Sequence, residues 1–186
     1  MRNSFSAASL AVAMLLAACG ARAPEVAAPS EPLGDFRMGF NVVVVGDAIQ
    51  GPGSQTVDPG ILETSIETAV ANRLGAYSGD GLYHIGIRVE GYVLPEPGSR
   101  SDAVLLMVAN VWDESTQQKL TATPIEVTGT VRAAAPTLAQ LADSAAQELE
   151  QALRDNAARW FAPKPGQTRI PFDPDARQAT VASPPN

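Results

Sequence analysis

The chain has 186 residues, with 13 Lys and Arg against 20 Asp and Glu, and it contains one His and one Cys. A formal charge of −7 with no basic stripe argues against binding to nucleic acid or to anionic lipid headgroups. One His and one Cys leave little for a zinc site and nothing for an internal disulfide, and Ser-His-Asp or Cys-His catalysis would have to use His84.

The amino terminus carries the strongest signal. Arg2 precedes the apolar run Leu10–Ala18, "LAVAMLLAA", which ends at Cys19 and Gly20. A cationic start, a short apolar stretch and small residues before a cut site predict a secretory signal peptide over residues 1–18. The run is too short to span a bilayer, which takes about 20 residues. Leu16-Ala17-Ala18-Cys19 matches the lipobox of bacterial lipoproteins in all four places. That resemblance implies cleavage between Ala18 and Cys19, a diacylglyceryl thioether on Cys19, and acylation of the freed amine. Gly20, where retained inner-membrane lipoproteins tend to carry Asp, implies the periplasmic face of the outer membrane. Two or three acyl chains, at about 0.8 kcal/mol per buried methylene, hold far more firmly than one. The cleaved chain keeps 12 basic residues against 20 acidic ones, a charge of −8, so attachment comes from lipid rather than charge.

Residues 19–35 read as a lipidated, proline-containing tether. Residues 36–162 are expected to form a single domain. Phe36–Val45 is a predicted strand whose run Val42–Val45 suggests burial on both faces. In the following loop, Gly46 and Gly51 have the spacing of a phosphate-binding loop. Pro52 replaces its Lys, however, and Asp58 sets a negative charge where a phosphate would lie, so no nucleotide is expected.

Asp58-Pro59 predicts a helix start. Leu62, Ile66, Ala69, Val70, Leu74 and Tyr77 form the apolar stripe, with Glu63, Thr64 and Glu67 toward water and Arg73 snorkelling from its end. A strand from Tyr83 is expected to turn Tyr83, Ile85, Ile87, Val89 and Val93 inward, and His84, Arg88, Glu90 and Tyr92 outward. "AVLLMVANVW" (103–112) is the next strand, and the last, roughly Lys119–Arg132, is interrupted by Pro124 and so predicted to be an edge or bulged strand. Thr137 and Gln140 make a capping box for the final helix. Its apolar face runs from Leu138 through Leu141, Ala142, Ala145, Leu149, Ala152 and Leu153 to Trp160, with Asp143, Glu150 and Arg154 opposite. The expectation is an α+β fold in the order β-α-β-β-β-α, an antiparallel-rich four-stranded sheet with two helices packed on one face. Residues 163–186 read as a proline-rich, disordered or loosely docked tail; for "RIPFDP" (Arg169–Pro174) inside it, a plain tail is the favoured reading over a partner-binding motif.

"DESTQQKL" (Asp113–Leu120), after Val111-Trp112, resembles the D-x-x-T-x-x-x-L hairpin of several periplasmic envelope modules. These are the curli-secretion lipoprotein domain, lipoprotein activators of penicillin-binding proteins, and the amino-terminal domain of the Tol-system translocation protein. There, as here, a helix ending in Leu-Gly-x-Tyr (Leu74, Gly75, Tyr77) precedes the strand pair. The lipopolysaccharide-assembly lipoprotein is similar in layout and lipidation. The resemblance implies a docking module without catalysis, a protein partner in the envelope, and no cofactor, metal or catalytic residue to carry over.

The residues agree. His84 is expected on a solvated sheet face beside Arg88 and Glu90. Asp102, Asp113 and Glu114, flanking one strand, read as turn residues before they read as an acid/base pair. Asp173–Asp175 lacks the spacing of a calcium loop. Trp112 and Trp160 are expected to close the core before they stack a ligand. The outer sheet face, or the edge of the Pro124 strand, is the expected partner surface. Two other readings stay open: a carrier of an apolar ligand between helices and sheet, and a lipid-anchored hydrolase using Asp or Glu.

Overall fold

The computed structural model describes residues 31–163. The signal peptide, Cys19 and the RIPFDP motif lie outside the described residues. One sheet is built from β1 (Phe36–Val44), the short β2 (Ile49–Gln50), β3 (Gly81–Val93), β4 (Ala103–Asp113), the short β5 (Gln118–Lys119) and β6 (Ile125–Val131). β1 and β2 both pair in parallel with β3, β3 is antiparallel to β4, and β5 and β6 are antiparallel to β4. The sheet is four strands wide, β1/β2, β3, β4 and β5/β6, and is not closed. Two main helices, α1 (Pro59–Leu74) and α2 (Leu138–Asp155), pack against it; α3 (Ala157–Trp160) follows. The α+β fold in the expected order is what the chain adopts.

Both helix starts are local sequence features. The Asp58 carboxylate accepts from the amides of Gly60 and Ile61, and Pro59 takes the first turn, where no amide is needed. At Thr137 the capping box is complete, with Gln140 returning its side chain to the cap amide. Leu62, Ile66, Val70 and Leu74 of α1 and Leu141, Ala145, Leu149 and Leu153 of α2 are buried over Tyr83, Ile85, Ile87, Val89, Leu105 and Met107. α2 crosses β6 at Gly129, where a Cβ would stand 2.7 Å from the amide nitrogen of Ala145; only glycine admits this approach. The helix breaks at Asn156, so Trp160 belongs to α3 rather than to the apolar face of α2. The last turn ends in Phe161, whose ring packs on Phe36 and Tyr83 at centroid distances of 4.9 and 4.8 Å. Leu33 is also buried, and the Asp35 amide donates to the Phe161 carbonyl at 2.7 Å. Chain entry and exit therefore share one end of the sheet, where β1 and β3 begin and β4 finishes.

Several expectations are corrected. Val42 and Val44 are about half exposed, because β1 lies at the sheet's edge and the helices cover only the face carrying Val43 and Val45. A register shift between Val89 and Gly91 reverses the alternation of β3, so Tyr92 turns inward to 8% exposure and Val93 turns away. Glu63 and Glu67 do not face water. The Val45 amide donates to Glu63 Oε1 at 3.1 Å and the Val43 amide to Glu67 Oε1 at 3.3 Å, where a neighbouring strand's carbonyls would otherwise stand. Pro124 does separate β5 from β6, and β6 lies at the other edge, as expected.

Glu150 and Arg154 are likewise not on a solvent face. They meet Arg73 and Tyr77 of the α1 end: Arg73 binds Glu150 and Asp143, both at 3.1 Å, and Arg154 binds Glu150 at 3.2 Å and the Tyr77 hydroxyl at 2.8 Å. The Tyr77 hydroxyl donates to Glu150 Oε1. Burial and then the Glu150 bond push Tyr77 up to about 12. Burial opposes ionisation of Glu150, but Tyr77, Arg73 and Arg154 outweigh it and hold the carboxyl below its usual range.

Candidate functional site

The sheet has one face under the helices and one without cover. On the uncovered face, Phe40 is 59% exposed, Val42 49% and Trp112 36%, and Val44 and Leu106 are also exposed. Phe40, Val42, His84, Gly86, Trp112, Glu114 and Gln117 line a cleft of about 370 Å³ at the end of the sheet where the chain enters and leaves.

This cleft arises from two glycines and a bulge. β1 slips register between Met38 and Asn41, so Gly39 and Phe40 together face His84. A Cβ at Gly39 would overlap the His84 imidazole, and one at Gly86 would stand 2.9 Å from the Trp112 ring. The glycines make room for the imidazole beneath β1 and for the indole to lie across β3. Phe40 stacks on His84 with centroids 3.7 Å apart and planes 20° from parallel. The Phe40 amide donates to His84 Nδ1 at 3.3 Å, and Nε2 lies 2.8 Å from Glu114 Oε2. Since Nδ1 accepts, the proton sits on Nε2 and is donated to the carboxylate. His84 is thus a structural rung between β1 and β3, not the solvated residue its alternating position suggested; its side chain is 13% exposed.

The turn below is held by Asp113, which is buried and accepts from the Ser115 amide at 2.9 Å and the Ser115 hydroxyl at 2.7 Å. Asp102 is tied to Arg132 at 3.0 Å, beyond the other end of β4. Eleven residues of β4 separate it from Glu114, roughly 35 Å of strand. The three carboxylates that flank β4 therefore do not converge, and each already has a partner. Among the described residues no group of three His, Cys, Asp or Glu could hold a metal ion. Trp160 packs against Phe161 with centroids 6.2 Å apart, beside the core as expected, whereas Trp112 belongs to the open face.

The edges are less available than the face. Glu63 and Glu67 occupy outward amides of β1. On β6, the Thr130 amide donates to Ser144 Oγ and the Ser144 hydroxyl returns to the Thr130 carbonyl, both at 3.1 Å. A partner strand added along the whole Pro124 strand would have to displace that side chain, so of the two expected surfaces the face is the more open. The space between helices and sheet is filled by the core, and a second cleft, of about 650 Å³, opens outward between α1 and α2 beside Ile61, Thr64, Thr68 and Asn72. No helix among the described residues is long and apolar enough to cross a membrane.

No protein-family model and no curated protein sequence matches this chain. Among solved structures, it is similar to a Xanthomonas campestris protein of family DUF330, at 16% identity and a TM-score of 0.39, over 72% of this chain and 88% of that one. A PelC variant from Paraburkholderia phytofirmans, crystallised as a dodecamer, gives 16% identity and a TM-score of 0.37, covering 68% and 91%. A candidate lipoprotein from Caulobacter crescentus gives 14% and 0.33, covering 64% and 91%. Likenesses at this level do not transfer an activity, and the similarity to curli-secretion and Tol-translocation domains stays one of local sequence pattern.

Proposed function

We propose that this chain is a lipoprotein anchored at the periplasmic face of the outer membrane through Cys19, acting as a non-catalytic assembly or interaction module. The observation that carries the reading is the four-residue lipobox Leu16-Ala17-Ala18-Cys19 behind a short signal sequence. The domain it would deliver offers a partner an uncovered sheet face with Phe40, Val42, Val44, Leu106 and Trp112 exposed, while side chains from α1 and α2 guard the edges. The scattered, already partnered carboxylates of β4 favour binding over a reaction. A protein of the envelope is the partner, and neither nucleotide nor nucleic acid is involved.

Cys19→Ser tests the anchor. In cells fed labelled palmitate, the native chain takes up label and sediments with outer membrane, whereas the variant loses the label, keeps its signal peptide and leaves the outer-membrane fraction. A variant that still carries label and still sediments there refutes lipidation at Cys19.

A further inference from the structure

Each exposed ring of the cleft has one side against the sheet and the other in the open. Phe40 rests on the His84 imidazole, and the Trp112 indole lies across Gly86, where a Cβ would meet it at 2.9 Å. Trp112 and Glu114, two residues apart in an extended stretch, both line the cleft, with side chains rooted about 7 Å apart. The polar groups around them are unevenly committed. His84 uses both ring nitrogens, Nδ1 on the Phe40 amide and Nε2 on Glu114. Gln117 donates from Nε2 to the Glu114 carbonyl at 2.8 Å. Glu114 Oε1 and Gln117 Oε1 accept nothing from the described residues, and the Glu114 side chain is 48% exposed. Among the described residues, Gln117 alone of the non-glycines takes a positive φ, 55°. Glycine or asparagine would make that turn with less strain, so a long polar side chain is held at the rim at a cost.

We infer that this cleft receives an arginine side chain of a basic protein partner, its guanidinium stacked on Trp112 and donating to Glu114 Oε1 and Gln117 Oε1. A guanidinium has a fork of N–H donors, no acceptor and two flat faces, which suits free acceptors set beside an exposed aromatic ring. Its charge is attracted to the indole face and to the carboxylate together. Lysine brings the charge without the plane. A proline-rich peptide fits less well, because its backbone carbonyls need donors and the His84 N–H is already spent on Glu114. Lys119, opposite Trp112 on β5, is exposed and makes no ion pair or ring contact, so it does not occupy the indole. The charge of −8 on the cleaved chain steers a basic partner toward it. The inference rests on the open face being the partner surface, and adds the chemistry of the partner that this face selects.

The test uses the full cleaved chain carrying Cys19→Ser, isotope-labelled for NMR, and short capped peptides with arginine, lysine or citrulline at the centre. The arginine peptide should shift the amide signals of Gly86, Glu114 and Gln117 saturably, with a Kd on the order of millimolar. Citrulline, which keeps the plane and loses the charge, should bind about tenfold more weakly, and lysine should also bind more weakly. Glu114→Gln and Trp112→Leu should each raise the arginine Kd about fivefold, with signals from α1 and α2 unchanged where the fold is intact. If Trp112→Leu disturbs the fold, Glu114→Gln decides alone. No saturable shift with arginine overturns the inference, as does equal binding of citrulline or lysine, or binding that Glu114→Gln leaves unchanged. Cleft signals that move on dilution of the chain without peptide also overturn it, because a second copy would then be the occupant. No partner protein is present in this assay, so its failure leaves the interaction-module reading standing.

Discussion

Phe36→Ala should cost about 3–5 kcal/mol of folding stability and lower Tm by on the order of 10 °C. Phe36 is 1% exposed and ties four parts of the chain together. Its ring lies 5.6 Å from Tyr83 of β3, 4.9 Å from Phe161 after α3 and 6.0 Å from Tyr77 after α1. The three neighbours belong to separate elements whose backbones are pinned nearby, the Asp35 amide on Phe161 and the Gly81 amide on Asp35. The site is therefore poorly able to collapse, and most of the lost volume should remain as a cavity. Phe40→Ala, at an exposed ring on the other face, should change stability far less. Thermal unfolding of the two variants beside the native chain measures the contrast; similar losses would mean that the buried cluster around Phe36 has no special part in holding the fold.

Glu150→Gln should cost about 1.5–3 kcal/mol, the range for hydrogen bonds to charged groups. The carboxylate joins Arg73, Arg154 and Tyr77, and its side chain is 15% exposed. Asp143→Asn removes the other partner of Arg73, but at 63% exposure that pair should be worth less than about 1 kcal/mol. Glu150→Gln also changes the response to pH. Glu150 is held below its usual range in the folded state, so its contribution is complete above the unfolded value of 4.5 and fades as pH falls through the lowered folded value. Tyr77 is raised from 10.0 to about 12, so its contribution is complete below pH 10 and is lost as pH rises toward 12. Tyr83, raised to about 12 by burial and then by Asp113 and Asp35, adds to the same alkaline loss. In Glu150→Gln the acid limb of the stability curve should flatten. The alkaline limb should shrink, because the carboxylate's share of the Tyr77 shift is gone while burial remains. Denaturant titrations from pH 3 to 11 would show this, and an unchanged acid limb would remove Glu150 from the account.

What could be read from sequence follows the range of the interaction. The Asp58 cap, the Thr137–Gln140 box and the break at Pro124 depend on residues within a few positions, and each appears where expected. The stripe of α1 was legible too, since only burial on one side makes Leu62, Ile66, Val70 and Leu74 recur at helical spacing. What failed depends on neighbours distant in sequence. Nothing local in Val42–Val45 tells that β1 has no strand beyond it, or that Glu63 and Glu67 will hold its free amides. A one-residue bulge suffices to turn Tyr92 from outside to inside. Glu150 and Arg154 looked solvated on a helical wheel because their partners, Arg73 and Tyr77, are more than seventy residues away. The cleft did leave a trace, in Gly39 and Gly86 within strands. A glycine there often marks a side chain lying across the backbone, here His84 and Trp112.

The central claim is that the uncovered sheet face meets an envelope protein while Cys19 holds the chain to the membrane. A photo-activated crosslinker in place of Val42 or Leu106, in the otherwise intact lipidated chain in living cells, tests it directly. One at Thr68, exposed on the outer side of α1, serves as the control. The account predicts a discrete heavier adduct containing a second envelope protein from Val42 and Leu106 and none from Thr68. Silence at both sheet positions, or the same adduct from Thr68, would contradict it.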